Sequence, residues 1–242
     1  MPRVGFLFVS AIVLAGVSVG LPRDAAAQNT ASLEAAIATG DPEAIGTAAR
    51  QLQGAPGERL TLAGDYADGI DGAADAGESG SLALAAIALA RDDSILAVQP
   101  TEAADVADRA LAAAGQTSVV SGRPDLAAAV ALEAAEMARS PALTTQAQTP
   151  EARARAAAMI VAALQLASRP EVARADPAAA ALVTTIASQV AALLQSVAPE
   201  LAAIIEAEVE EAEVAIASAQ DPDGDDTQTG ETNEAQNQAS PS

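Results

Sequence analysis

Residues 177–219 read PAAAALVTTIASQVAALLQSVAPELAAIIEAEVEEAEVAIASA, and this stretch carries the clearest helical pattern of the chain. Its apolar residues recur three and four positions apart, which is the spacing of one face of an α-helix. The pattern consists of Val183, Ile186, Val190, Leu193 and Val197, followed by Leu201, Ile205, Val209, Ala212 and Ile216. Pro199 interrupts it, so the stretch forms either one kinked helix or two helices that meet there. It contains only two to three heptads, which is fewer than a typical coiled coil has. This favours a core helix of a monomeric bundle over an oligomer.

The same kind of helix start recurs upstream, as a proline followed by an acidic residue. Proline at the first helical position loses no hydrogen bond, and the acid complements the helix dipole. Alanine, the best helix former, makes up more than a quarter of the chain, whereas the strand-like run 118–120 is too short to count. We therefore predict an all-α fold, an alanine-rich helical bundle or a short array of antiparallel helix pairs. The predicted helices cover 31–39, 42–53, 58–76, 80–98, 102–114, 124–139, 150–168, 177–197 and 199–219.

The N-terminus has the three parts of a secretory signal. Arg3 supplies a positive charge, residues 4–21 carry no charge, and Ala25-Ala26-Ala27 offers small residues to a signal peptidase. We predict cleavage between Ala27 and Gln28. An uncleaved membrane anchor is the alternative, but glycines and serines dilute the apolar run and an Ala-x-Ala site follows it closely.

Three segments follow from this interpretation. Residues 1–27 are the cleavable signal peptide, 28–219 a helical domain, and 220–242 a disordered acidic and polar tail. No apolar stretch after the signal is predicted to span a membrane, because glutamines, threonines and serines interrupt the best candidate, 183–197. The location is extracytoplasmic, and the alanine-rich composition favours the periplasm over full secretion.

The amino-acid composition limits the kinds of catalytic and metal-binding site that this chain can form. The chain has no cysteine, histidine, tryptophan or lysine, and Tyr66 is the only aromatic residue after the signal. Thiolate and histidine catalysis, zinc sites built on sulfur or imidazole, and lysine-dependent sites are therefore excluded. The formal net charge of −21 repels nucleic acid and favours a basic partner or divalent cations. We predict no bound cofactor and no enzymatic activity.

The negative charge is concentrated near the C-terminus, where thirteen acidic residues and no basic residue follow Arg174. Asp221, Asp223 and Asp225 occupy positions 1, 3 and 5 of a possible calcium loop. Asp226 stands where the loop requires glycine, and Thr232 where it requires glutamate. A solvated tail is therefore favoured over a calcium site, and any Ca²⁺ binding is expected to be weak.

Two further clusters admit a functional and a structural interpretation. The aspartates at 65, 68, 71 and 75 could share a cation, but a polar helix face explains them more simply. Arg153 and Arg155 could clamp an anionic partner. We expect them instead to pair with surplus carboxylates, including those of the acidic C-terminal helix.

Two functions remain. The first is a non-enzymatic interaction or scaffolding module of the cell envelope, whose partner is a basic protein or another envelope component. The second is an acidic divalent-cation-binding protein that uses the C-terminal helix and tail. An enzyme that uses carboxylates alone is the least favoured class.

Overall fold

The computed structural model describes residues 23–221, with side chains from residue 30 onward. All regular secondary structure in this part of the chain is helical and none of it is strand, so the predicted all-α fold is confirmed. Twelve α-helices pack against one another in it. They are α1 (Arg23–Thr39), α2 (Pro42–Gln51), α3 (Pro56–Gly69), α4 (Ala76–Ala90), α5 (Asp93–Leu96), α6 (Pro100–Ala114), α7 (Thr117–Gly122), α8 (Pro124–Ala138), α9 (Pro150–Ala167), α10 (Pro170–Ala175), α11 (Pro177–Leu194) and α12 (Pro199–Gln220).

The centre of the fold is α4. Every residue from Ser79 to Ala90 is buried except Leu82, and no charge occurs in that run. The helix contacts α1, α2, α3, α6, α7 and α8. A helix that is apolar on all sides is stable in water only when other helices surround it, which explains its position.

Gly80 allows α4 to approach α8 closely. A Cβ atom at this position would lie 3.0 Å from Leu126 Cδ1 and 3.3 Å from Val119 Cγ1. The glycine-rich segment around it looks unfavourable for a helix when propensity alone is considered. The structure shows that Gly80 lies where a Cβ atom would crowd two neighbouring side chains.

The predicted helix starts are confirmed at several prolines. Pro42, Pro124, Pro150, Pro177 and Pro199 each stand at the beginning of a helix. Side chains cap three of these helices at the N-terminus. An oxygen of Asp41 accepts hydrogen bonds from the N–H groups of Glu43 and Ala44. In the same way Thr149 Oγ1 accepts from the N–H of Ala152, and Asp176 Oδ1 accepts from the N–H of Ala179. Each such cap stabilises its helix by about 1 kcal/mol.

Pro199 separates two helices. The Nε atom of Arg174, just before α11, donates to the carbonyl oxygen of Ala219 at a distance of 2.9 Å. The beginning of α11 therefore lies beside the end of α12, and the two helices form an antiparallel hairpin (residues 177–220, the C-terminal hairpin). The predicted apolar stripe is buried at Val183, Ile186 and Val190, but at its end Leu194 is buried in place of Leu193.

Two predicted helices end earlier than expected, and in each case an aspartate caps the helix that follows. The helix predicted over 58–76 ends at Gly69 and continues as a 3₁₀ turn, after which Asp75 accepts from the Glu78 N–H and starts α4. The helix predicted over 80–98 ends at Ala90, and Asp92 caps α5. Aspartate favours caps over helix interiors because its short side chain bonds to nearby backbone N–H groups.

The remaining differences concern short or terminal helices. Residues 118–120 belong to α7, and Pro170 opens the short helix α10, which lies between the helices predicted over 150–168 and 177–197. The first helix begins at Arg23 rather than at residue 31. Gly40, where φ is +66°, ends it in the left-handed conformation that glycine adopts without strain.

Candidate partner-binding surface

The outer face of α12 exposes apolar side chains. The inner face buries Ala202, Ile205, Val209, Ala212, Ile216 and Ala219 against α9, α10 and α11. Ile204 is 55% exposed and Val214 is 68% exposed on the outside of the same helix. Glu211 lies seven residues after Ile204 and three before Val214, so helix geometry puts all three on one side. We define the α12 outer face as Glu200, Ile204, Glu210, Glu211 and Val214.

This face carries unbalanced negative charge. Glu200, Glu210 and Glu211 are exposed, and the ion pairs found among the side chains of residues 30–221 all join residues from 50 to 155. Arg174 is the last arginine of the chain, and its Nε atom donates to a backbone carbonyl. The carboxylates of the α12 outer face are therefore available to a cationic group from outside.

Exposed large apolar residues are concentrated in the C-terminal hairpin. Across the described residues, those at 182, 193, 197, 204 and 214 lie in it, and Val98 is the only such residue elsewhere. Single exposed apolar residues are ordinary on a protein surface. Five of them lie in the one hairpin that also holds the unpaired glutamates, and Ile204 and Val214 share the α12 outer face with Glu200, Glu210 and Glu211.

The predicted metal ligands are only partly described. Asp221 is exposed immediately after α12, and its N–H donates to the Ala217 carbonyl oxygen at 3.1 Å. Asp223 and Asp225 lie outside the described residues. Among the side chains described, those of residues 30–221, no three carboxylates are placed to share a metal ion. The calcium loop therefore stays a prediction.

The upstream aspartates serve structural roles. Asp68 pairs with Arg109 of α6, and Asp75 caps α4. These contacts favour the structural interpretation of the cluster, because two of its four carboxylates already have partners within the fold.

The interpretation of the two close arginines was partly wrong. Arg155 pairs with Asp105 of α6, as expected for a surplus carboxylate. Arg153 instead donates to backbone carbonyls, at 2.9 Å for Ala147 and 3.4 Å for Thr144. Neither of them reaches α12, since the loop before α9 and the neighbouring helix α6 offer nearer acceptors.

The residues of the predicted cleavage site lie near the beginning of the described chain. The backbone of Ala27 and Gln28 belongs to α1, and residues 1–22 fall outside the description. Cleavage stays a prediction. By length and composition, one described helix, α11, could cross a membrane, but half of it is buried among other helices. A core helix of a globular protein has the same properties.

Sequence reasoning missed a cleft rich in arginine. Arg50, Arg59, Arg91 and Arg139 line a cavity of about 440 Å³ at the ends of α2, α4 and α8. Glu133 beside it pairs with Arg91 at 2.7 Å and with Arg50 at 3.3 Å, and burial nevertheless raises the pKa of its carboxyl. Arg59 pairs with Asp92, and Arg139 pairs with Glu136. The positive charges of the cleft are therefore nearly balanced by carboxylates.

No protein-family model, curated protein or solved structure matches this chain.

Proposed function

We propose that this protein is a non-enzymatic interaction module of the cell envelope, acting outside the cytoplasm, that binds a basic partner through the α12 outer face. The observation that carries the proposal is the combination of exposed apolar residues and unpaired glutamates on that one face. A partner helix or loop with lysines or arginines around an apolar residue is complementary to it in charge and in hydrophobicity.

The two kinds of residue contribute differently to binding. Burying the exposed parts of Ile204 and Val214 would contribute on the order of 1 kcal/mol each. The glutamates would accelerate encounter and exclude acidic partners, and this contribution decreases with salt because exposed charges are screened. Binding of a basic partner should therefore weaken as ionic strength rises.

The absence of enzymatic activity rests on the composition of the chain. Without histidine, cysteine or lysine, a catalytic site would have to use carboxylates, arginines, hydroxyls or Tyr66. The carboxylate of Glu133, whose side chain is only 12% exposed, is paired with two arginines. This supports a binding role.

The alternative proposal, a divalent-cation-binding protein, depends on residues 221–226. It predicts that Ca²⁺ increases the helicity of the full chain, and that a chain ending at Ala219 loses this response. An unchanged circular dichroism spectrum at millimolar Ca²⁺ would remove the alternative.

Charge reversal on the α12 outer face tests the proposed function. The probe is a fluorescent amphipathic peptide made of lysine and leucine, with the leucines three and four positions apart. We expect the Glu210→Arg/Glu211→Arg variant to bind it about tenfold more weakly than the unaltered protein, because two attractive charges become repulsive. Fluorescence anisotropy at several salt concentrations measures the affinity.

The matched control is the Glu43→Arg/Glu151→Arg variant, which changes the net charge equally at two other exposed positions. It should retain most of the affinity. Equal weakening in both variants would show that the peptide senses only the total charge and would contradict the assignment to the α12 outer face.

A further inference from the structure

A second cleft, of about 500 Å³, lies between α1, α3 and α4 and is bordered by Arg123. It contains Tyr66, and it joins hydroxyl, carboxylate and apolar side chains in one place. Ile37 and Leu82 are apolar residues of its lining, and Tyr66 and Ser81, each with a hydroxyl group, also line it. We call it the Tyr66 cleft. It is separate from the α12 outer face and has no part in the function proposed above.

Two hydroxyl groups in the Tyr66 cleft have no hydrogen-bond partner among the described residues. They are Tyr66 Oη and Ser81 Oγ, and Ser81 as a whole is only 1% exposed. Other helical hydroxyls in this protein bond to a carbonyl four residues earlier, as Thr185 does to Ala181 at 2.9 Å and Ser188 does to Thr184 at 3.1 Å. Ser81 does not use this common local alternative. A buried hydroxyl without a partner is destabilising, and a ligand that bonds to it would restore the missing hydrogen bond.

The charges around the Tyr66 cleft favour a cation. Glu34, Asp75 and Glu78 contribute three carboxylates to its lining. Arg123 is the opposing charge, and its guanidinium is held by Asp125, at 2.7 Å from Nη2 to Oδ2, and by the carbonyl oxygen of Gly40. The lining therefore has more negative than positive groups, in a protein that is itself strongly acidic.

Tyr66 keeps its proton in this setting. Burial, and secondarily the negative charges of Glu34 and Asp65, raise the pKa of Tyr66 to about 12. At neutral pH the side chain is thus a neutral phenol, whose oxygen can accept a hydrogen bond from an ammonium group and whose O–H can donate one.

We propose that the Tyr66 cleft binds a small aliphatic ammonium ion, with the ammonium group at Tyr66 Oη, Ser81 Oγ and the Glu34 carboxylate, and with the carbon chain against Ile37 and Leu82. The carboxylates select the positive charge, the hydroxyls accept the N–H groups, and the apolar walls cover the chain. Arg123, fixed by its own partners, disfavours a ligand that carries a second positive charge near α8.

The protein contains its own reporter for this site. Tyr66 is the only tyrosine of the chain and tryptophan is absent, so tyrosine fluorescence comes from the Tyr66 cleft alone. The probes are n-butylammonium, n-butanol and butyrate, which share a chain length and differ in charge. We expect n-butylammonium to change the fluorescence in a saturable manner, n-butanol to bind several-fold more weakly, and butyrate to have no effect.

Variants assign the effect to the named groups. Ser81→Ala and Glu34→Gln should each weaken n-butylammonium binding, by about 2–10-fold for the lost hydroxyl contact and by more for the lost charge. Glu43→Gln, on α2 and outside the cleft, should leave it unchanged. The proposal is overturned if n-butylammonium at high millimolar concentration leaves Tyr66 fluorescence unaffected, if butyrate binds as well as n-butylammonium, or if all three variants behave alike.

Discussion

Replacing Ile87 with alanine should lower the free energy of unfolding by about 3–4 kcal/mol, because the substitution opens a cavity at the centre of the fold. Ile87 is 0% exposed and belongs to α4, which contacts six other helices. Many of the surrounding core residues are alanines, whose side chains are too short to move into the space. The surrounding side chains can therefore fill little of the cavity, and we expect the loss of stability to exceed the smallest values seen for isoleucine-to-alanine substitutions.

Urea unfolding followed by circular dichroism measures this loss. The control is Ile204→Ala, the same substitution at a side chain that is 55% exposed, which should cost less than about 1 kcal/mol. Similar midpoints for the two variants would contradict the central position of α4.

Ending the chain at Val197, which removes α12, should abolish the cooperative unfolding transition. The removed helix buries three large apolar residues and three alanines against its neighbours. Their burial contributes on the order of 5 kcal/mol or more, which is comparable to the whole stability of a small domain. The exposed faces of α9 and α11 should then promote aggregation.

A chain that ends at Gln220 is the matched control for this truncation. It keeps α12 complete and removes only the predicted tail, so its thermal midpoint should stay within about 2 °C of the full chain. Thermal unfolding by circular dichroism and light scattering distinguish the variants. A large loss of stability in the longer variant would show that residues after 220 contribute to the folded domain, against the predicted boundary.

The fold class could be predicted because local signals agree with the packing. Abundant alanine and proline-acid starts favour helices independently of tertiary structure. A boundary is predicted between 76 and 80, and the structure places it at Asp75, which caps α4. The break at Asp92 is not predicted, because the apolar residues Ile95 and Leu96 continue beyond it, and only the hydrogen bonds of the cap show that a new helix begins there. Helix propensity alone counts Gly80 as unfavourable, because it does not include the approach of another helix.

The candidate sites were less predictable because their residues come together from distant parts of the chain. Arg50 and Glu133, beside the arginine-rich cleft, are separated by 83 positions. Tyr66 and Arg123 meet at a cleft that no local pattern indicates. On α12 the helical period predicts that Ile205 is buried, but it does not predict whether the neighbouring Ile204 is exposed. The exposure of Ile204 depends on which helices pack against α12, and the sequence pattern does not give those neighbours.

Photocrosslinking in cells tests the central claim, binding of a basic partner by the α12 outer face outside the cytoplasm. A photoreactive amino acid replaces Val214, which is 68% exposed, or Val98, which is 70% exposed and lies far from the C-terminal hairpin in sequence. Mass spectrometry identifies the crosslinked peptides and the N-terminus of the tagged protein. We predict one dominant partner at position 214, joined through a segment rich in lysine or arginine, no such product at position 98, and an N-terminus at Gln28. Equal capture at both positions, or an N-terminus still at Met1, would contradict the account.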